Sequence, residues 1–194
     1  MTCLSVGYRP RPRLRFSING NFAQRHSEVS AVRVYDNHRI YATCTANFDT
    51  FTPTTLFYDP GFSCIDLTFL RADGRQWAII KDETKFPEAK KHPRLAPAES
   101  VQGLIGPLGA PFSPPGLWVE GPTALKIGDW YFVYFEAYMQ KHYCAMRSRD
   151  LQAWEDITDQ VQFVAPGTPE RMKHGSVMAV PRTLIDQLRA MPVN

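Results

Sequence analysis

Two acids occupy matching places in two similar stretches of the chain. Ile65-Asp66-Leu67-Thr68-Phe69 aligns with Val119-Glu120-Gly121-Pro122-Thr123, and Gly74 with Gly128, at an offset of 54 residues. In each stretch the acid opens a segment of β-forming residues, and a glycine-containing turn follows. If the segments are equivalent strands of neighbouring units around an axis, Asp66 and Glu120 face each other across it. A facing pair of carboxylates is what acid–base cleavage of a glycosidic bond requires, one group protonating the leaving oxygen. Taken singly, Asp66 is a strand-start or turn residue and Glu120 a surface acid beside a proline. Their shared place on successive units favours the active-site reading.

A second match sets the size of the unit. Tyr41-Ala42-Thr43-Cys44-Thr45-Ala46-Asn47-Phe48-Asp49-Thr50-Phe51 aligns without gaps with Cys144-Ala145-Met146-Arg147-Ser148-Arg149-Asp150-Leu151-Gln152-Ala153-Trp154, at an offset of 103. Both read as a strand, then Ser/Thr-x-Asn/Asp-Phe/Leu, then an aromatic three residues on. The second offset is close to twice the first. A repeat of about fifty residues holding several strands is the signature of a β-propeller blade. Strand-like runs fall at 39–45, 65–70, 76–81, 130–135 and 142–147, with another at 31–35. The turns include Tyr35-Asp36-Asn37, Ala72-Asp73-Gly74 and Ile127-Gly128-Asp129, where glycine accepts the positive φ of a hairpin. Residues 184–191 read as a short helix, and 86–115 as a long surface connection holding one or two strands. The expected fold is all-β: a partial propeller of about three blades with a short C-terminal helix.

Composition agrees. Over 194 residues, 44% hydrophobic and 21% charged are globular values that exclude wholesale disorder. Aromatics at 12%, with 16 prolines and 12 glycines, suit short strands and tight turns. No apolar run reaches the length of a membrane-spanning helix. The net charge of +3 belongs to residues 1–26, which hold Arg9, Arg11, Arg13, Arg15 and Arg25 and no acid. These read as an extended or disordered basic tail, and 27–194 as the propeller domain. The tail lacks the interleaved aromatics of a single-strand platform, so neither nucleic acid nor membrane is expected as a partner. Cys3, Cys44, Cys64 and Cys144 show no metal-ligand spacing, and three of them sit in apolar or strand-like contexts that suit a buried free thiol. With no secretion-signal pattern at the start, the expectation is a reduced, cytoplasmic chain.

From about Arg39 onward the chain resembles glycoside hydrolase family 43, the five-bladed β-propeller arabinosidases and xylosidases. The resemblance is carried by Asn47-Phe48-Asp49-Thr50-Phe51-Thr52, Asp59-Pro60-Gly61-Phe62-Ser63-Cys64-Ile65-Asp66, Lys81-Asp82-Glu83, Glu120-Gly121-Pro122, the segment 148–154 and His174-Gly175-Ser176-Val177. It implies inverting-type acid/base hydrolysis of arabinose- or xylose-containing glycans. It implies Glu120 as the general acid, with its carboxyl pKa raised by burial or a neighbouring negative charge. Asp66 is then the carboxylate that orients and modulates it. His174 matches a histidine at the pocket floor of the family, and reads equally as a hydrogen-bonded structural residue. Lys173 stands where the family has an arginine and gives up its planar fork of donors. No organic cofactor is implied, and a structural Ca²⁺ on the propeller axis is compatible with the resemblance. Phe62, Trp118 and Tyr138 are candidates for stacking on sugar at the rim. Trp154, Phe51 and Trp130 are expected in blade packing, and His142 and Tyr143 in strand packing.

The resemblance also implies a general base, an Asp in an earlier blade. Ahead of Arg39 the only acids are Glu28 and Asp36, neither in an Asp-Pro motif. The chain therefore reads as the carboxyl-terminal part of such a propeller, and a non-catalytic carbohydrate-binding or remnant module is the alternative. Open blade edges would then invite association with a complementary chain.

Overall fold

A computed structural model describes residues 2–6, 38–163 and 174–191, the first of these as backbone. Within them lie three antiparallel sheets. The first pairs β1 (Thr2–Val6), β2 (Ile40–Thr45) and β3 (Thr55–Tyr58). The second pairs β4 (Cys64–Ala72), β5 (Arg75–Asp82) and β6 (His92–Ala98), and the third β7 (Val119–Ile127), β8 (Trp130–Ala137), β9 (His142–Ser148) and β10 (Glu155–Asp156). Each sheet is a meander whose sequential strands are neighbours, as in a propeller blade. A helix, α1 (Arg182–Ala190), follows, where a helix over 184–191 is expected. The 86–115 connection holds β6 and two isolated bridges, Arg94–Pro111 and Ala98–Ile105. Among the described residues no helix is long and apolar enough to cross a membrane.

The 103-residue repeat is reproduced atom for atom. Thr45 Oγ1 accepts the Phe48 N–H at 2.8 Å, and Ser148 Oγ accepts the Leu151 N–H at 2.9 Å. Asn47 Oδ1 caps the N–H groups of Asp49 and Thr50, as Asp150 Oδ1 caps those of Gln152 and Ala153. Phe48 and Leu151 take left-handed φ values of 62° and 61°. The short polar side chains stabilise the same non-strand turn twice.

The shorter offset needs a correction of one residue. The β4–β5 register slips between Ile65 and Thr68, and the β7–β8 register between Glu120 and Thr123. In the first bulge the left-handed residue is Asp66 (φ 53°), in the second Gly121 (φ 56°). The hairpins close at Ala72 and Ile127, again 55 residues apart rather than 54. Asp66 is therefore equivalent to Gly121, and Glu120 to Ile65.

Two apolar clusters bind the sheets. Period-two alternation on β5 sends Ile79 and Trp77 to a cluster with Val119, Val133, Phe135 and Met146 of the third sheet. Ala78 and Ile80 go to the other, with Ile40 and Cys64 toward the first sheet. Trp154 packs on the larger cluster and stacks on Phe112 at 4.4 Å, as expected of blade packing. Phe51 differs, standing 51% exposed, and Trp130 lies beneath the guanidinium groups of Arg147 and Arg149 at 4.4 and 4.3 Å. Cys64 and Cys144 are free and buried, but Cys44 is disulfide-bonded. The expectation of a reduced chain missed this disulfide, because the β1 backbone that stands opposite Cys44 comes from the stretch read as a tail. The tail arginines, the 31–35 run, the turn at 35–37, Glu28, Asp36 and Lys173 lie outside the described residues.

Candidate active site

The β7 bulge builds the site. Gly121 leaves the β7–β8 register, and its N–H donates to Asp66 Oδ2 at 2.9 Å. The two bulges of neighbouring sheets are thus joined, one supplying the acceptor and the other the donor. Asp66 reaches the backbone next to Glu120, in place of the carboxylate–carboxylate contact that the 54-residue register implies. A glycine is required here for space as well as for φ: a Cβ on Gly121 would lie 2.7 Å from His174 Cγ. The segment carrying His174 hangs on the third sheet. The Gly175 N–H donates to Tyr143 Oη at 2.9 Å and the Val177 N–H to Thr123 Oγ1 at 3.1 Å. That places His174 Nε2 3.4 Å from Glu120 Oε2 and 3.6 Å from Glu136 Oε2.

On its other side Glu120 meets a buried ammonium. Lys81 continues the β5 face that holds Trp77 and Ile79, so alternation carries it inward to complete burial. Its Nζ lies 2.6 Å from Glu83 Oε2 and 3.1 Å from Glu120 Oε1. Lys91, also buried, pairs with Glu83 Oε1 and donates to the Glu83 carbonyl at 3.1 Å. Charges of alternating sign run Lys91–Glu83–Lys81–Glu120, with His174 and Glu136 beyond. Buried ions are tolerated when each has such a partner. Burial alone pushes the Glu83 carboxyl up, but Lys81 and then Lys91 outweigh it and hold the group below its ordinary range. Burial, followed by the charges of Glu83 and Glu120, raises the Tyr138 phenol. Burial also raises Tyr143, with a smaller push from Glu136.

The structure places Asp66 on the peptide beside Glu120, and His174 beside the Glu120 carboxylate. Trp118 and Tyr138 join them as a tilted pair with centroids 6.2 Å apart. Lys91 lies 5.8 Å from the Trp118 ring and Lys81 5.1 Å from Tyr138. Phe62 does not join: it packs on the cluster between the first two sheets, with the Arg94 guanidinium 5.5 Å from its ring. Sequence reasoning gave no site role to Lys91 or Glu136, named Lys81 and Glu83 only within the motif Lys81-Asp82-Glu83, and placed Tyr143 in strand packing. Alternation along β5 was the available signal for Lys81. Glu136 is legible only through strand pairing, because it stands opposite Glu120 on one side and Tyr143 on the other.

Glu120, Glu136 and His174 bring one ligand atom each within 4.8 Å of one another. The grouping does not fit Ca²⁺, which takes about six to eight oxygen ligands. It offers two carboxylates and a nitrogen, and Lys81 already stands beside Glu120 as a resident cation.

A protein-family model described as "Probable glycosyl hydrolase domain", related to glycoside hydrolase family 43, matches residues 19–186. The chain belongs to this family. The family-43-related match begins inside the stretch read as a tail. Among solved structures, the α-L-arabinofuranosidase from Lactobacillus brevis is 16% identical, with a TM-score of 0.49 over 61% of this chain and 44% of its own. The xylan β-1,4-xylosidase from Bacillus halodurans C-125 is 19% identical, with a TM-score of 0.49 over 68% of this chain and 25% of its own. The chain therefore spans under half the length of either. No curated protein sequence matches it.

For a family-43-related domain the exposures within the cluster are informative. The Glu120 side chain is 30% exposed, against 12% for Glu83 and 2% for Glu136. Of these three, Glu120 is the most exposed carboxylate. Glu136 lies closer to it than the roughly 6.5–9.5 Å that leaves room for a water in an inverting pair. Its burial also keeps it from attacking a sugar directly. Glu136 is the buried neighbour of the more exposed acid.

Proposed function

We propose that the chain is a glycoside hydrolase module for arabinose- or xylose-containing glycans, with Glu120 as the general acid. The observation that carries the reading is Glu120 itself: a partly exposed carboxylate at a conformationally fixed bulge, with each oxygen facing a separate partner. Asp66 acts through the backbone. By holding the Gly121 N–H it fixes the peptide beside Glu120 and so the direction from which the acid approaches the glycosidic oxygen. His174 closes the floor beside Oε2. Trp118 and Tyr138 offer apolar ring surface next to the acid, suited to the C–H face of a sugar. Proton donation to the leaving oxygen is the step these groups support.

The test is release of nitrophenol from aryl α-L-arabinofuranoside and aryl β-D-xyloside. Glu120→Gln should lower kcat by about 10²–10⁴-fold, the usual contribution of a positioned general acid. Activity that persists in Glu120→Gln overturns the assignment.

A second reading, sugar binding without hydrolysis, draws support from the company of Glu120. Glu83 and Glu136 are too buried to activate water at the far face of a sugar. Calorimetric binding of an arabino- or xylo-oligosaccharide, with no turnover of either aryl glycoside, would favour it.

A further inference from the structure

We infer that the first and third sheets carry the two unlike halves of a blade-to-blade interface, and that a second copy of the chain fills them head to tail. The face of the third sheet that points away from the second receives the free face of the other copy's first sheet. The inference is independent of the role of Glu120.

The complete interface is seen between the second and third sheets. β4 and β5 bring Leu70, Ala72 and Ile79, all buried, to the larger apolar cluster. From the other side come Cys144 on β9 and, in the turn after it, Leu151 and Trp154, the last stacked on Phe112. Each half recurs without its counterpart. At an offset of 55, Leu125, Ile127 and Tyr134 take the places of Leu70, Ala72 and Ile79. Leu125 and Tyr134 are half-buried, with Phe163 against one edge of Tyr134, and Ile127 is 54% exposed. At an offset of 103, Tyr41, Phe48 and Phe51 take the places of Cys144, Leu151 and Trp154. Tyr41 is half-buried, and Phe48 is 60% exposed although its turn has the backbone of the Leu151 turn. Leu56 pairs with Tyr41 in the β2–β3 ladder, so it shares that face, and it is 53% exposed.

Three features point to a second copy as the occupant. The bare faces are opposite halves of an interface the chain already uses, so each copy supplies what the other lacks. Their charges are complementary at corresponding ends. Arg149, in the turn after β9, lies over the Trp130 ring, and Trp130 shares the outward face of Tyr134 by alternation. Asp49 lies between Phe48 and Phe51 in the matching turn after β2. Among the described residues neither Arg149 nor Asp49 is in an ion pair. Finally, each chain has three sheets, so two copies bring six, and propellers close with about 4–8 blades. Contact between unlike faces builds a ring when the rotation closes and a string of copies when it does not.

The experiment is sedimentation velocity of the whole chain over a concentration series. The native chain should associate reversibly into a dimer or larger species. Phe51→Arg on the first sheet and Ile127→Asp on the third should each weaken association about tenfold or more, because each puts an unpaired charge into an apolar contact. Mixed in equal amounts, the two variants should form a 1:1 pair and nothing larger, since each keeps the half that the other has lost. Contact between like faces would give no such rescue and would leave one variant associating alone. Both residues are more than half exposed, so the fold should tolerate the changes, with circular dichroism as the check. Should either variant misfold, Phe51→Ser and Ile127→Ser must weaken association in the same way. A chain that is monomeric at every concentration overturns the inference, as does association that neither substitution weakens or variants that do not pair on mixing. A monomer whose Tm falls in Phe51→Arg also overturns it, because that face is then covered within one chain.

Discussion

Gly121→Ala is the most informative single change, because two separate costs can be worked from the structure. At φ 56° an alanine enters the left-handed region, which costs about 1–2 kcal/mol. Its Cβ would also stand 2.7 Å from His174 Cγ and 2.8 Å from Cδ2, well inside van der Waals contact. Overpacking of that kind costs roughly 1–3 kcal/mol where the neighbour cannot move. Here the neighbour can: the His174 side chain is 48% exposed and yields toward solvent. The expected stability loss is therefore near the strain alone, about 1–2 kcal/mol, lowering Tm by about 2–8 °C. Activity should suffer more, because the ring that moves is the one shared by Glu120 and Glu136. Gly128 is the control, with the same φ of 56° and nothing within 4 Å of its added Cβ. Gly128→Ala should lower Tm about as much, leaving the His174 imidazole resonances and aryl-glycoside hydrolysis unchanged. The assay is thermal unfolding by circular dichroism, imidazole NMR and hydrolysis on both variants. If the two alanines are indistinguishable in all three, His174 does not rest on Gly121 and the site geometry is wrong.

Other outcomes follow from the same contacts. Asp66→Asn keeps an oxygen for the Gly121 N–H and tolerates φ 53°, so it should cost under about 1 kcal/mol, whereas Asp66→Ala loses both and should cost roughly 2–4 kcal/mol. Urea unfolding that ranks them equal would deny the backbone-positioning role. Burial pushes the Cys64 thiol up to about 12 and the Cys144 thiol up to about 11. Both should resist maleimide at neutral pH in the folded chain and react on unfolding, as read by mass spectrometry; rapid native labelling would contradict the burial. Glu83 is held below its ordinary 4.5, so its contribution to stability is complete above that value and is lost as pH falls through the lower folded value. Glu83→Gln should destabilise at neutral pH and flatten the decline of unfolding free energy on acidification. An unchanged acid slope in urea titrations would mean that the lysines do not act on it.

Much of the architecture is legible because its signals are local. The turn after β2 and the turn after β9 use the same side-chain-to-backbone bonds, so Thr45-x-Asn47 and Ser148-x-Asp150 announce each other across 103 residues. Asp73-Gly74 takes φ values of 52° and 73°, the mirror-image turn that a two-residue hairpin demands. β6 is harder to read, because Pro93 and Pro97 argue against a central strand and are tolerated at the sheet edge it occupies. The ion chain is non-local: Lys81 and Glu120 belong to different sheets, and which buried charge meets which depends on register.

Register decides the site, and there a single residue matters. Aligned at 54, Asp66 and Glu120 look like one carboxylate repeated, and their apparent symmetry suggests a facing pair. Aligned at 55, as the bulges require, the equivalent of Asp66 is Gly121, a residue with no side chain that offers only its N–H. Symmetry is then broken usefully: the same left-handed bulge presents an acceptor in one sheet and a donor in the next. Glu120, displaced by one position from the pseudo-equivalent acid, has its carboxylate left for other partners and for a substrate. A sequence pattern that tolerates a slip of one residue finds both residues but misassigns the interaction between them. On a bulged strand that slip exchanges the residue in the ladder for the residue out of it. For this reason the pairing of Asp66 with the Gly121 peptide, and of Glu120 with Lys81 and His174, is the arrangement that substitutions must test.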